Sequence, residues 1–224
     1  MKNIFENSSV KKLIESNEVD IILERIKNVE FEETPIGEGG NAVIFVPKEE
    51  KLKGVCLKKV KEKPQIQYND LEQESKYQEE LRENGVNTPE ILVSIDSPNG
   101  KYFLMERVDG YNISEVIQKP ELMPKKFDYE NFCKALEEQI ATMHKVGIYH
   151  RDLHEKNIMI NEDGLPVIID FGTATYGSGS DFTYEESVSM YNPKKGRYEF
   201  VNGFFKDDLE MVKNIKSALK PFYK

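Results

Sequence analysis

The chain has 224 residues, enough for one large domain or one fold in two lobes, and enough to bury a sizeable core. Lys and Arg number 31 against 40 Asp and Glu, and the net charge of −9 argues against a general nucleic-acid binder, whose phosphates demand positive charge. Two cysteines, Cys56 and Cys133, exclude a disulfide framework and a Cys-rich zinc module. No apolar run reaches the ~20 residues of a membrane span, and the start MKNIFENSSVKK lacks the apolar core of a signal peptide. A soluble, cytoplasmic chain from a reducing compartment is expected.

In chain order, residues 1–30 read as a helical extension. Val10, Leu13, Ile14, Val19, Ile22 and Leu23 form its apolar face, Ile26 and Val29 continue it, and Ser8 or Ser9 serves as N-cap. After Thr34-Pro35 the run IGEGGNAVIFVP and the run Gly54 to Val60 predict a hairpin with a Gly-rich turn. Tyr68 to Asn84 turns helical and is closed by Gly85 with Pro89 beyond. Ile91–Ile95 and Tyr102–Val108 read as strands joined at Ser97-Pro98-Asn99-Gly100. Phe132, Leu136, Ile140 and Met143 recur at helical spacing and predict a helix over 128–146. Ile158–Ile160 and Val167–Ile169 read as a hairpin turning at Asp163-Gly164. Residues 173–205 read as irregular, and Leu209, Val212, Ile215 and Leu219 mark a last helix. The outline is α+β, with a β-rich first part and a mostly helical second part.

The chemistry concentrates in His150-Arg151-Asp152-Leu153-His154-Glu155-Lys156-Asn157, with Asp170-Phe171-Gly172 following; Asp170 stands thirteen residues after Asn157. Asp152 can orient a hydroxyl and accept its proton. Asn157 and Asp170 offer the oxygen donors that a hard Mg²⁺ prefers. Phosphoryl transfer asks for little more than positioning, charge neutralisation and a base near the nucleophile.

HRDLHEKN followed by IIDFG resembles the catalytic loop and metal-binding motif of the protein kinase family. Other segments fit in order. Ile36-Gly37-Glu38-Gly39-Gly40-Asn41-Ala42-Val43-Ile44 is similar to the kinase Gly-rich loop, with Ala42 in place of its third glycine. Val55-Cys56-Leu57-Lys58 resembles the V-A-x-K strand, so strand alternation sends Lys58 toward the nucleotide and Lys59 toward solvent. Glu74 matches the ion-pair partner of that lysine, with Glu72 as the alternative. Met105-Glu106-Arg107-Val108-Asp109-Gly110 resembles the hinge, and Lys206-Asp207-Asp208-Leu209-Glu210 the start of the helix whose Asp braces the catalytic loop. The resemblance covers roughly residues 34–219.

It implies a two-lobed protein-kinase-like fold, with a β-rich N-lobe over 31–108 and a truncated, mostly helical C-lobe over 109–224. It also implies a monomer that binds ATP and Mg²⁺ between the lobes. Ile36, Gly37, Gly39 and Gly40 would cover the phosphates. Ile44, Cys56 and Met159 would sandwich the adenine, with Met105 joining the nucleotide site at the start of the hinge and the backbone of Glu106–Val108 along its edge. Lys58, held by Glu74, would grip the α/β phosphates. Asn157 and Asp170 would hold the metal, and Asp152 would position the acceptor, a Ser or Thr hydroxyl of a protein. His150 would pack under Phe171.

The pattern departs from the family at several places. His154 stands where Ser/Thr protein kinases usually carry Lys, which resembles the aminoglycoside- and choline-kinase-like branch and keeps a small-molecule acceptor open. A kinase-fold binding module without turnover is the other alternative. No A-P-E motif follows Asp170, and Asp208 stands 36 residues after Gly172. Gln78 occupies a position where the family usually packs an apolar side chain, so a looser active arrangement is expected. Lys194, Lys195 and Arg197 read as a solvated basic loop. Kinases of similar trim occur among secreted bacterial effectors, which adds secretion into a host cell as an alternative to the cytoplasm and a host protein as substrate.

Overall fold

A computed structural model describes residues 28–39, 41–61, 66–67, 71–97, 100–177, 188–192, 194–195, 197–201 and 207–223. Expectations for the helix over 1–27, for Gly40, and for Pro98 and Asn99 of the expected turn lie outside these. The chain divides into two compact units: residues up to 67 with 90–107 and 190–198, and residues 68–89, 108–189 and 199–224.

The first unit is built on a five-stranded antiparallel sheet. Its strands are β1 (Gly37–Glu38), β2 (Ala42–Phe45), β3 (Val55–Val60), β5 (Ile91–Ser97) and β6 (Gly100–Glu106), in the order β1-β2-β3-β6-β5. A short strand β4, Ile66–Gln67, lies between β3 and β5 in the chain. Register fixes the two faces. Ile44 pairs with Lys58, Lys58 with Phe103, and Cys56 with Met105. Cross-strand partners share a face, so Ile44, Cys56, Lys58, Phe103 and Met105 line one side. Val55, Leu57 and Leu104 line the other and pack with Leu52 and Val29. Residues 28–30 form a turn, not the end of a helix, because Val29 is drawn onto this sheet face. β6 stops at Glu106, two residues short of the expected end.

The second unit holds the larger core. Helix α1 (Leu71–Glu83) ends at Gly85, whose φ of 87° is open to glycine and costly for other residues. The amide of Val86 reaches Leu81 O at 3.0 Å and that of Gly85 reaches Arg82 O at 3.0 Å, the paired bonds of a Schellman stop. Strand β7 (Gly110–Asn112) leads into α2 (Ile113–Gln118) through a capping box. Asn112 Oδ1 accepts from Glu115 N, and Glu115 Oε2 accepts from Asn112 N, both at 2.9 Å. Helix α3 (Tyr129–Lys145) is capped by Asp128 and buries Phe132, Leu136, Ile140 and Met143, the expected face.

Strands β8 (Ile148–Tyr149), β9 (Ile158–Asn161) and β10 (Pro166–Ile168) follow, and β9 joins β10 and β7 in a three-stranded sheet. The β9–β10 connection is longer than the expected tight turn. Asn161 Oδ1 accepts from Asp163 N at 3.1 Å and Leu165 N at 2.8 Å, so the side chain organises a four-residue loop. The expectation of irregular chain over 173–205 is corrected by β11 (Thr175–Tyr176), paired with β8, and by strands β12 (Val188–Asn192) and β13 (Arg197–Val201). Lys194, Lys195 and Arg197 are exposed, as expected, but only the two lysines lie in a turn, since Arg197 opens β13. Helix α4 (Asp208–Leu219) buries Val212, Ile215 and Leu219. Leu209, expected on that apolar face, is instead exposed. It sits in the first turn beside Asp208, and Asp208 takes the inward position. No helix among the described residues is long and apolar enough to cross a membrane.

Candidate active site

In the first unit the glycine-rich turn is a tight hairpin. Ile36 N donates to Ile44 O at 2.9 Å and Gly39 N to Ala42 O at 3.0 Å. A side chain at Gly37 would meet Ile44 Cγ1 at 3.5 Å. Ile36 is half exposed. Lys58 is 7% exposed while Lys59 is open to solvent, the alternation that the pleat imposes. The Lys58 ammonium lies 5.8 Å from the centre of the Phe103 ring. Cys56 is buried, its Sγ 3.7 Å from Glu106 O, and burial pushes its thiol up to about 12, so it packs as a small apolar group. Along the expected hinge, Glu106 N donates to Glu90 O at 2.8 Å and Arg107 N to Gly54 O at 2.9 Å. Those two amides are committed within the sheet, which narrows the expectation for this edge to carbonyl oxygens and the amide of Val108.

The second unit carries the remaining candidates. Asp208 anchors them. One of its oxygens accepts His150 N at 2.8 Å and lies 3.1 Å from His144 Nε2; the other accepts Arg151 N at 3.1 Å. Burial alone would raise this carboxyl. The His144 hydrogen bond, the nearby His150 and its backbone amide outweigh that, and Asp208 sits below the usual carboxylate range. Asp207 is the N-cap of the same helix, accepting from Glu210 N. Arg151 adopts a φ of 69° and Asp170 a φ of 66°, the described non-glycine residues with positive φ. Such left-handed geometry costs about 1 kcal/mol or more per residue and gathers at functional sites.

His150 Nε2 donates to Ile169 O at 3.0 Å, and its ring lies 5.0 Å from that of the fully buried Phe171. This ties the loop before Asp152 to the segment that carries Asp170. Asn157 Nδ2 donates to Asp152 O at 2.9 Å, while Ile169 N donates to Asn157 O at 3.0 Å. With its amide nitrogen committed, the oxygen of Asn157 is the end left to accept or ligate. One neutral and one anionic oxygen, from Asn157 and Asp170, suit Mg²⁺, which keeps water and phosphate oxygens in its other positions. Among the described residues no group of three or more His, Cys, Asp or Glu gathers as a metal site.

The Glu74-or-Glu72 alternative meets a clear difference in placement. Glu74 is 6% exposed, and Gly172 is flanked by its carboxylate and that of Asp170. Glu72 is exposed and bound to Lys76 at 2.6 Å, one helical turn on. Gln78 meets a polar partner in the structure. It is buried, and its Nε2 donates to Pro89 O at 2.7 Å, so the amide is satisfied where an apolar side chain was expected. Met159 lies on the β9 face opposite the buried Ile158 and Ile160.

Three further residues were not legible in the sequence. His144 bonds Asp208 and stacks on Tyr149 with ring centres 4.3 Å apart. Thr173 Oγ1 donates to His150 O at 3.2 Å. Thr175 receives Arg151. Thr and His at these places form no pattern with a fixed spacing, so no motif could have marked them.

Residues 31–193 match the model of the protein kinase domain family. The chain is 26% identical over 168 residues to a probable serine/threonine-protein kinase of Clostridium perfringens, covering 68% of this chain and 22% of that protein. It is 28% identical over 188 residues to a probable bifunctional tRNA threonylcarbamoyladenosine biosynthesis protein of Methanococcus vannielii, covering 80% and 31%. It is 27% identical over 154 residues to the KEOPS complex subunit Bud32 of Pyrococcus abyssi, covering 63% and 67%. The chain thus spans between a fifth and a third of the first two relatives. With the family match running over more than half of its length, and with the catalytic-loop and DFG strings inside that match, the chain belongs to the protein kinase domain family.

Proposed function

We propose that the chain transfers the γ-phosphate of ATP, with Mg²⁺, to a Ser or Thr hydroxyl of a protein. The observation that supports this best is the braced loop of the second unit. Asp208 holds the amides before Asp152, and Asn157 holds the carbonyl of Asp152 itself. A loop tied at both ends costs little reorganisation when the acceptor arrives. In this reading Asp152 orients the acceptor hydroxyl and takes its proton. Asn157 and Asp170 hold the metal, which neutralises charge on the phosphates when bound. Lys58, supported by Glu74, steadies the α/β phosphates. Ile44, Cys56, Met105 and Met159 enclose the adenine, and Glu106 O and Val108 N–H meet its edge. Ile36, Gly37, Gly39 and Gly40 cover the phosphates. The HRD-with-DFG form and the serine/threonine-protein kinase relative favour a protein acceptor.

A second reading rests on the Bud32 match, which covers two thirds of that protein. Together with the match to a probable bifunctional tRNA threonylcarbamoyladenosine biosynthesis protein, it would have the chain serve tRNA modification through its nucleotide site. Incubation with γ-labelled ATP, Mg²⁺ and a protein mixture, followed by acid hydrolysis of the labelled protein, separates the two. Phosphoserine or phosphothreonine supports the first. ATP hydrolysis without labelled protein supports the second.

A further inference from the structure

His154 has no place in the assignment above, yet its side chain lies against that of Asp152. Nε2 of His154 stands 3.6 Å from Asp152 Oδ2, and both side chains are about one fifth exposed. That spacing is ion-pair range and longer than a hydrogen bond. The other ring nitrogen is committed: Nδ1 accepts the amide of Lys156 at 3.1 Å. A nitrogen that accepts an N–H cannot carry a proton of its own, so in the neutral ring the proton sits on Nε2, facing the carboxylate.

We propose that His154 is a positioning residue for Asp152, its Nε2–H aimed at Oδ2 by the Lys156 amide. It follows that His154 is not a proton relay. Nε2 already holds a proton, and Nδ1 is tied to backbone. As the acceptor oxygen bonds to the γ-phosphorus and the bond to the ADP oxygen breaks, the acceptor proton goes to Asp152. Closing from 3.6 Å to hydrogen-bond length as the acceptor docks, this donor holds the carboxylate in one orientation through that step, which is worth rate and not nucleotide affinity. This rests on the assignment of Asp152 given above.

The test has two arms. The first needs no turnover. The chain has only three histidines, so long-range proton–nitrogen spectra of the ¹⁵N-histidine-labelled protein resolve each ring, and His154→Gln identifies the third. The expected result is the Nε2–H form, with its Nε2 signal shifted by Asp152→Asn. A ring protonated at Nδ1, or one indifferent to Asp152→Asn, overturns the proposal. The second arm is kinetic. His154→Ala should lower kcat about tenfold with KM for ATP unchanged, a loss of about 1.4 kcal/mol in transition-state stabilisation. His154→Gln, whose amide places an N–H near the Nε2 position, should restore most of it. A loss in KM alone, an unchanged kcat, or failure of Gln to rescue overturns the proposal. Absence of any transfer by the parent refutes the proposed phosphotransferase, and the spectral arm still decides the role of His154.

Discussion

Arg151 Nε donates to Thr175 Oγ1 at 2.8 Å, and its guanidinium lies over the Tyr149 ring at 4.9 Å. Many kinases leave the arginine beside the catalytic aspartate for a phosphate on the activation segment, which orders that segment when it arrives. Here a neutral hydroxyl on β11 engages it, and β11 is itself paired to β8, the strand just before Arg151. In the sequence, Ser178, Ser180 and Thr183 offer hydroxyls beside the carboxylates of Asp181, Glu185 and Glu186, and all six lie outside the described residues. Protein made in a kinase-free host and treated with phosphatase should keep its initial rate. Loss of activity on dephosphorylation, restored by rephosphorylation within 173–205, would contradict this.

A second prediction separates neighbouring lysines. Lys58→Met should lower transfer by about a hundredfold or more, as expected when a group contacting the phosphates is lost. Lys59→Met should change it little, since Lys59 is exposed on the opposite face of β3. Steady-state rates at saturating ATP check the ranking, and the reverse order would move the nucleotide to the other side of the sheet.

Asp208 supplies a stability prediction. Asp208→Ala leaves the amides of His150 and Arg151 without their buried acceptor, and the loss should be about 3 kcal/mol in denaturant unfolding. The pH dependence follows from the depressed carboxyl. A group held below its unfolded value stabilises fully above the ordinary carboxylate range, and that contribution is lost as pH falls through the folded value. The parent should therefore lose stability more steeply than Asp208→Ala below about pH 4. Parallel curves for the two proteins would show that Asp208 carries no such linkage.

The strings HRDLHEKN and DFG were legible because each function depends on a fixed local spacing within a contiguous run. Much of the sheet was legible too, since the runs around Ile44, Lys58 and Phe103 are short apolar stretches rich in β-branched and aromatic residues and bounded by turn residues. Short elements were not. β8 and β11 have two residues each and no period to read. α2 has six residues, too few for a helical repeat, although Asn112 and Glu115 at capping-box spacing mark its start. Leu209 misled because apolar spacing says nothing of which first-turn residue an anion-binding role draws inward. The partner of Gln78 was likewise not legible, because nothing in the spacing points to Pro89 O as the carbonyl that satisfies its buried amide.

Gly110 is needed for close approach, not for an unusual φ. A Cβ there would sit 2.2 Å from Ile160 O and 2.9 Å from Asn161 Cα, whereas one at Gly54 would meet nothing within 4 Å. Gly110→Ala should destabilise by about 1–3 kcal/mol by forcing β7 off β9. Gly54→Ala should be close to neutral. Thermal melts of the two variants check the contrast, and equal melting temperatures would contradict the close packing of β7 on β9.

The central claim is phosphoryl transfer that depends on Asp152, and one measurement bears on it most directly. Parent and Asp152→Ala proteins are incubated with γ-labelled ATP, Mg²⁺ and a dephosphorylated protein mixture, and ATP binding is followed in parallel. The parent should place label on serine or threonine. Asp152→Ala should lose transfer by about a thousandfold, the scale of a positioned base, while binding ATP as the parent does. Equal labelling by the two proteins, or no label on protein from the parent, would contradict the account.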